Sequence, residues 1–549
     1  MGEKEQRKAQ TAEVMALTGW NKYKAHRAYS KAYRKHGIEY ADYIRYEFYK
    51  IRAREHGKAW KEIKKAEREA EFIGIWEENG RKLTKKGICA LFDIPFDGED
   101  ETYSCLRYAK KAVPDCLLVV DVTKSDDDDE IEDKVLKQAR IATKKGAKRI
   151  LCSEQIKNYP CLIVPSKSAY RSMITIVDPI RRQLGFTAVE VTGSYGKTTT
   201  TTLVQTVLNN KYKVFGHDGK NTNTLPQAAN RIFEVENDCE FFVQESSEAP
   251  TIGIPGYISR IVQPKIAVIT NIGNSHIGLV GSKEKILESC LSVQKGMPED
   301  GILVLNGDDE MLRAVESDLK IVYYGYKNEN ADYFATNIRN TEEGIMFDII
   351  SDGEVTPVTL HCIGIHNVQN AAAAFAVGRL AGMTAEEASE GLGKYRPQGI
   401  RQNLIYSNGY NFYLDCYNAS EESMKSAIDT VDSMALASGG RRIVVLADIM
   451  ELGDKAEELH RSVGRYVCSS NINILICYGE NSKFIAQEAE KNSAIKVLSM
   501  NSHEKIIDYL KDNATEADLI LLKGSHAMEL KKVFKGLGGE ISESAEDDI

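Results

Sequence analysis

The hydrophobic pattern divides the 549-residue chain into four regions. From Lys22 to about Glu78 there is no proline, and Tyr, Ala and Ile recur between Lys, Arg and Glu, as in NKYKAHRAYSKAYRKHGIEY. That spacing predicts two or three amphipathic helices, a basic helical extension over residues 1–83. From about residue 84 the pattern changes to short apolar runs, CLLVVDV, RILCSE and CLIVPS, separated by helical segments, which predicts a small α/β domain over 84–184. A third region, 185–395, carries FTAVEVT, FFVQES, KIAVITNIG and GILVLNGDD, apolar on both faces as in a buried, mostly parallel sheet. The fourth, 396–549, repeats the alternation with RRIVVLADIM, INILICYG and DLILLKG and predicts a second doubly wound α/β unit.

Charge sharpens the first boundary. The chain carries −9 overall, yet residues 1–90 hold 22 Lys+Arg against 13 Asp+Glu, so the extension is a distinct basic unit on an acidic body. Seven of the 26 tyrosines fall between Tyr23 and Tyr49. Two readings stand: a solvated helical hairpin, or a surface for a protein partner or an anionic glycan, with nucleic acid the less expected ligand. No run reaches the roughly 18–20 apolar residues a membrane span needs, and the charged start MGEKEQRKAQ is unlike a signal peptide, so a cytoplasmic location is expected. The 11 cysteines are odd in number and never in C-x-x-C pairs, which argues against a disulfide framework or a structural zinc.

The chemistry concentrates in Val189-Glu-Val-Thr-Gly193-Ser194-Tyr195-Gly196-Lys197-Thr198-Thr199, a strand running into a glycine turn, a lysine, hydroxyls and a helix. Backbone N–H groups at such a turn wrap phosphate oxygens, Lys197 neutralises the β/γ charge and Thr198 can ligate Mg²⁺, so an ATP-type triphosphate is expected. Val191 stands where the full phosphate-loop pattern has its first glycine. Glu245 ends FFVQE and His276 follows KIAVITNIG, both at the carboxyl edge of the same predicted sheet.

GSYGKTTTT, QESSEAP, AVITNIGNSHIGLVGSKEKI, LNGDDEM, GIHNVQNAAAAFAVG, LDCYNASEESM, VVLADIMELGDKAEELH and LLKGSHAMEL occur in the order of the Mur ligases. The chain resembles that family over about 185–535, and more weakly over 84–184. It is most similar to the branch that adds D-alanyl-D-alanine to a UDP-N-acetylmuramoyl tripeptide. The resemblance implies an α/β fold of three domains: a small domain for a UDP-sugar, a central phosphate-loop ATPase and a Rossmann-like closing domain. It implies an ATP- and Mg²⁺-dependent amide-bond ligase that joins a small carboxylate donor, UDP-linked in the family, to an amino acid or dipeptide amine.

By the same resemblance, Lys197 and the loop Gly193–Thr199 stabilise the phosphoryl group, Thr198 and Glu245 hold one Mg²⁺, and His276 serves a second. Asn367 and Asn370, with His366, resemble an adenine-binding motif, with helix capping as the alternative. Arg401 resembles an arginine that reaches the phosphates, and Asp415 a carboxylate that contacts the nucleotide. Tyr417 and Asn418 share that last motif, and Lys523 either orients the incoming substrate or caps a strand. The family's carbamylated, metal-binding lysine is replaced here by Cys290, a poor ligand for a hard cation. A second metal is then held differently, through Glu288 or water, or is lost. Ser420 and His526 depart from the family's pattern where the amine binds. These departures, with the basic extension, imply a ligase with its own substrate pair; the housekeeping D-alanyl-D-alanine-adding enzyme and a non-catalytic ATP-binding scaffold are the alternatives.

Overall fold

A computed structural model describes residues 57–540, apart from 109–110, 121–127, 154, 157, 167, 217–222, 250–251, 342 and 398. Most of the expected helical extension lies outside the described residues; its described part, 57–83, contains the helix Gly57–Glu78. Two compact units, Met1–Ala169 and Tyr170–Ile549, are each described by itself.

In the first unit β1 (Leu83–Thr84) pairs antiparallel with β2 (Thr102–Tyr103), and β3 (Leu106–Arg107), β4 (Leu117–Val119), β5 (Arg149–Cys152) and β6 (Cys161–Ile163) form a parallel four-stranded sheet in that order. The three apolar runs read from the sequence are therefore strands β4, β5 and β6. Cys116, Leu118, Val120, Ala139 and Ile150 make the core under them.

The second unit is built on two sheets. The larger contains β7 (Thr187–Thr192), β8 (Val214–Phe215), β9 (Phe241–Glu245), β10 (Pro264–Ile269), β11 (Ile302–Asn306), β12 (Lys320–Gly325), β13 (Tyr333–Thr341), β14 (Gly344–Ser351) and β15 (Glu354–Leu360). Their order is β15-β14-β13-β12-β11-β10-β7-β9-β8, parallel from β8 to β13 and antiparallel from β13 to β15. Val189, Val191, Val243, Val268 and Val304 pack on helices Lys197–Leu208 and His366–Leu380. Ala267, Ile269, Leu303 and Leu305 pack on the opposite face with Ile286, Val293 and Leu312. Burial on both sides is why these strands read as continuous apolar runs.

The sheet is mostly parallel, as its apolar runs predict, and the β13–β15 meander is its antiparallel part. Its hairpin turns at Asp352-Gly353, φ 53° and 80°, with Ser351 opposite Glu354. Asp-Gly takes both left-handed positions of a two-residue turn cheaply, and the turn's twist matches that of the strands. Pro357 is tolerated because β15 is an edge strand.

The smaller sheet has the order β16-β17-β21-β18-β19-β20, from β16 (Asn403–Ser407), β17 (Tyr410–Asp415), β18 (Arg442–Ala447), β19 (Ile474–Tyr478), β20 (Lys496–Met500) and β21 (Leu519–Lys523). All pairs are parallel except β16–β17, which turns at Asn408-Gly409. Helices cover both faces, burying Val444, Leu446 and Leu521 on one side and Ile443, Val445 and Leu522 on the other. Among the described residues no helix is long and apolar enough to cross a membrane.

Candidate active site

β7 lies between β10 and β9, so the turn after Thr192 opens where successive crossovers leave in opposite directions. That is the crevice in which parallel α/β sheets bind ligands. Gly193 and Gly196 take φ of 131° and 77°. A Cβ on Gly193 would come within 2.9 Å of the Thr270 backbone N, and one on Gly196 within 2.8 Å of Asn370 Oδ1, so both glycines are required by conformation and by space. The helix Lys197–Leu208 begins directly after, its N–H groups directed at the turn.

The segment after β10 braces this turn. Asn271 Oδ1 accepts from Tyr195 N at 3.0 Å and its Nδ2 donates to Tyr195 O at 2.9 Å, clamping the backbone of one residue with both ends of its amide. Ser194 N donates to Asn271 O, and Ser194 Oγ accepts from Gly273 N at 2.8 Å. Asn271 is a positioning residue that the sequence reading did not single out, although it sits in the quoted TNIGN run.

Lys197 Nζ donates to Gly193 O at 2.6 Å, Ser194 O at 3.2 Å and Glu248 Oε2 at 2.8 Å. Burial alone would discharge this lysine, but Glu248 and then Glu245 outweigh it and hold the ammonium above its ordinary range. Glu248 was missed because it lies three residues beyond the strand end; its only signal was being a second carboxylate in QESSEAP.

One cavity of about 540 Å³ gathers the turn Ser194–Thr199 with Glu245, His276, Arg401, Asp415, Tyr417, Asn418, Lys523 and His526. Arg401 bridges its walls: Nη1 donates to Thr198 Oγ1 at 3.3 Å, and the guanidinium lies 3.2 Å from the Tyr417 ring centroid. Asp415 and Lys523 end the neighbouring strands β17 and β21 in register and are paired at 2.8 Å. Lys523 also donates to Asn418 O at 2.7 Å. Of the two roles open for Lys523, these contacts describe the structural one. Glu245 Oε1 accepts from Asn223 Nδ2 at 3.2 Å.

His276 was expected to face a metal. It lines the cavity, its Nδ1 meets the carboxylate of Glu451, and Gly278 N donates to Glu451 O at 3.1 Å, joining the segment after β10 to Met450-Glu-Leu-Gly453. Asn367 Nδ2 donates to Ile363 O at 2.8 Å, while Asn370 accepts from Thr200 Oγ1 and donates to Asn367 Oδ1. Their amides thus have partners within the protein, and Asn370 also borders a smaller cavity with Tyr195, Gly196, His366 and Gln369. His366 shares a hydrogen bond with Ser426 at 2.7 Å. Cys290 is buried in the apolar cluster of Ala249, Ile269 and Ile286, which raises its thiol well above the usual range and leaves it an uncharged packing group.

His460 explains why the Met450–Gly453 loop holds its place. Its Nδ1–H donates to Ala456 O and its Nε2 accepts from Ile449 N at 3.0 Å; burial lowers its affinity for a proton, so the ring stays neutral. His460→Ala is expected to destabilise the protein by about 2–4 kcal/mol, through an orphaned buried N–H and a cavity. Urea unfolding measures this, and a change below about 1 kcal/mol would contradict the assignment.

Among the described residues no group of three or more His, Cys, Asp and Glu forms a metal cage. Mg²⁺ does not require one: it is commonly held by one or two protein oxygens, phosphates and water. The Thr198 hydroxyl and the Glu245 carboxylate, both lining the phosphate end of the cavity, are hard oxygen donors of that kind.

Comparison with known proteins agrees with this architecture. The Mur ligase middle-domain model matches residues 191–378, and the model described as the Mur ligase glutamate ligase domain matches residues 400–526. The UDP-N-acetylmuramoyl-tripeptide--D-alanyl-D-alanine ligase of Bacillus subtilis is 36% identical over 358 residues, 65% of this chain and 77% of that one. Its namesake from Escherichia coli is 24% identical over 83% of this chain and 98% of that one. In fold, MurF from Acinetobacter baumannii superposes with a TM-score of 0.69 at 21% identity, covering 83% of this chain and 98% of that chain. MurF from Thermotoga maritima, solved in complex with ADP, gives 0.63 at 24% identity, covering 80% and 97%. With both family models matched around one ATP-type phosphate loop, the chain belongs to the Mur ligase family, whose members are ATP-dependent amide-bond ligases.

Proposed function

We propose that the chain activates a substrate carboxylate as an acyl phosphate and joins it to an amine. The observation that carries this reading is the convergence on one cavity of the phosphate-loop lysine, a strand-end carboxylate, Arg401 and the Asp415–Lys523 pair, drawn from two different sheets. A carboxylate is a poor acyl donor. Its oxygen takes the γ-phosphoryl group and ADP leaves; the amine nitrogen then bonds to the carbonyl carbon, loses a proton, and phosphate departs with that oxygen.

In this reading the N–H groups of Gly193–Thr199 and Lys197 hold the triphosphate, and Arg401, already against Thr198, steadies the phosphates. Thr198 and Glu245 would hold Mg²⁺, which supplies charge neutralisation at the phosphates when bound. Asp415 would meet the nucleotide, and Asn367 and Asn370 the base after exchanging internal partners. His276, held by Glu451 through Nδ1, would serve a second Mg²⁺. Tyr417, Asn418, Ser420 and His526 form the wall by which the amine enters. Residues 84–184 would carry the donor, and 1–83, 185–395 and 396–549 the extension, the ATPase and the closing domain.

His526 and Cys290, which replace the family's usual residues, favour a substrate pair specific to this chain. The 36% identity to a D-alanyl-D-alanine ligase favours the housekeeping pair as the second reading. Both are tested by phosphate release from Mg²⁺-ATP with UDP-N-acetylmuramoyl peptides and pools of amino acids and dipeptides. Release that needs the tripeptide and D-alanyl-D-alanine, with a product of their summed mass less water, establishes the second reading; release with another pair establishes the first. No release with any pair would contradict the ligase mechanism.

A further inference from the structure

Beside the phosphate loop the side chain of Glu248 is fully buried and that of Lys197 only 10% exposed. One carboxylate oxygen, Oε2, meets Lys197 Nζ at 2.8 Å; the other, Oε1, is buried without a hydrogen-bond partner. A carboxylate optimised for its own stability would satisfy both oxygens. Its backbone is anchored from the far wall, where Ser289 Oγ donates to Glu248 O at 2.8 Å, and the neighbouring Cys290 contributes no charge. Glu248 thus stands behind the lysine, away from the cavity lining, while the Gly193 and Ser194 carbonyls hold the same ammonium from the side of the turn.

We propose that Glu248 is the positioning residue of the phosphoryl-binding lysine: it tethers Lys197 from behind, so that the ammonium meets the transferred phosphoryl group from a fixed place. The proposal rests on the ATP-dependent ligase reading. The tether has two opposed consequences. Before nucleotide binds, Glu248 competes with the triphosphate for the ammonium and weakens binding. During transfer it prevents Lys197 from following the ground-state phosphate, so that its charge acts on the transition state in preference to the bound substrate. A carboxylate that merely filled space would show neither effect.

The test uses Glu248→Gln and Glu248→Asp in the full chain, with ATP affinity measured by calorimetry in Mg²⁺ and turnover by phosphate release. In E248Q the dissociation constant for ATP should fall about three- to tenfold, because a competing anion has gone. Its kcat should fall about a hundredfold, because the lysine is no longer held. E248D keeps the charge and withdraws it by one methylene, so its affinity should stay near wild type with kcat between the two. Weaker ATP binding in E248Q, or equal losses of affinity and kcat in E248D, would overturn the proposal. The affinity measurement needs neither donor nor acceptor. If no substrate pair supports turnover, tighter or weaker ATP binding in E248Q still decides the matter independently of the ligase mechanism.

Discussion

Lys197→Ala is expected to lower turnover by about a thousandfold or more, since it removes the cation that meets charge developing on the transferred phosphoryl group. The same change should also destabilise the protein. It leaves Glu248 buried with neither oxygen paired, and an uncompensated carboxylate in such a place costs about 3–5 kcal/mol. The two effects separate in the double variant K197A/E248Q, where stability should largely return while turnover does not. Thermal unfolding and phosphate release on the four members of this cycle measure the coupling directly. Turnover within tenfold of wild type in K197A would end the assignment of Lys197 to catalysis. Equal stability of the single and double variants would show that the buried pair carries no coupling.

The contrast between Lys197 and Glu248 illustrates what a sequence can reveal about this protein. The phosphate loop is legible because its chemistry is local: two glycines, a lysine and a threonine must lie within seven residues, after a strand and before a helix. The strands β7, β9, β10, β11, β18, β19 and β21 are legible because burial on both faces leaves an unbroken apolar run. Glu248 is 51 residues from its partner, and nothing local to either residue specifies that they meet. His276 shows the same limit, since nothing local to it specifies that the fold brings Glu451 to its Nδ1 across 175 residues. The antiparallel meander was legible in principle. Asp352-Gly353 is a hairpin signal, and residues 344–360 alternate in burial, but neighbouring apolar runs of parallel type masked the change of period.

Lys523→Met should produce the other large effect, on stability first and on kinetics as its consequence. The side chains of Lys523 and Asp415 are 2% and 12% exposed, so the substitution leaves a carboxylate with little water to replace the lost ammonium. It also removes the donor to Asn418 O, and with it the support of the segment Tyr417–Ser420 that lines the cavity. The expected loss is about 3–5 kcal/mol by urea unfolding. Asp415→Asn in the same background should recover much of it, because a neutral amide can remain buried at lower cost. Since one residue supports both the Asp415 carboxylate and the adjoining loop, KM for ATP and KM for the amine should rise together in K523M. A rise confined to the amine, with stability unchanged, would show instead that Lys523 touches the incoming substrate. The pairing of β17 with β21 would then serve to aim that lysine rather than to neutralise it.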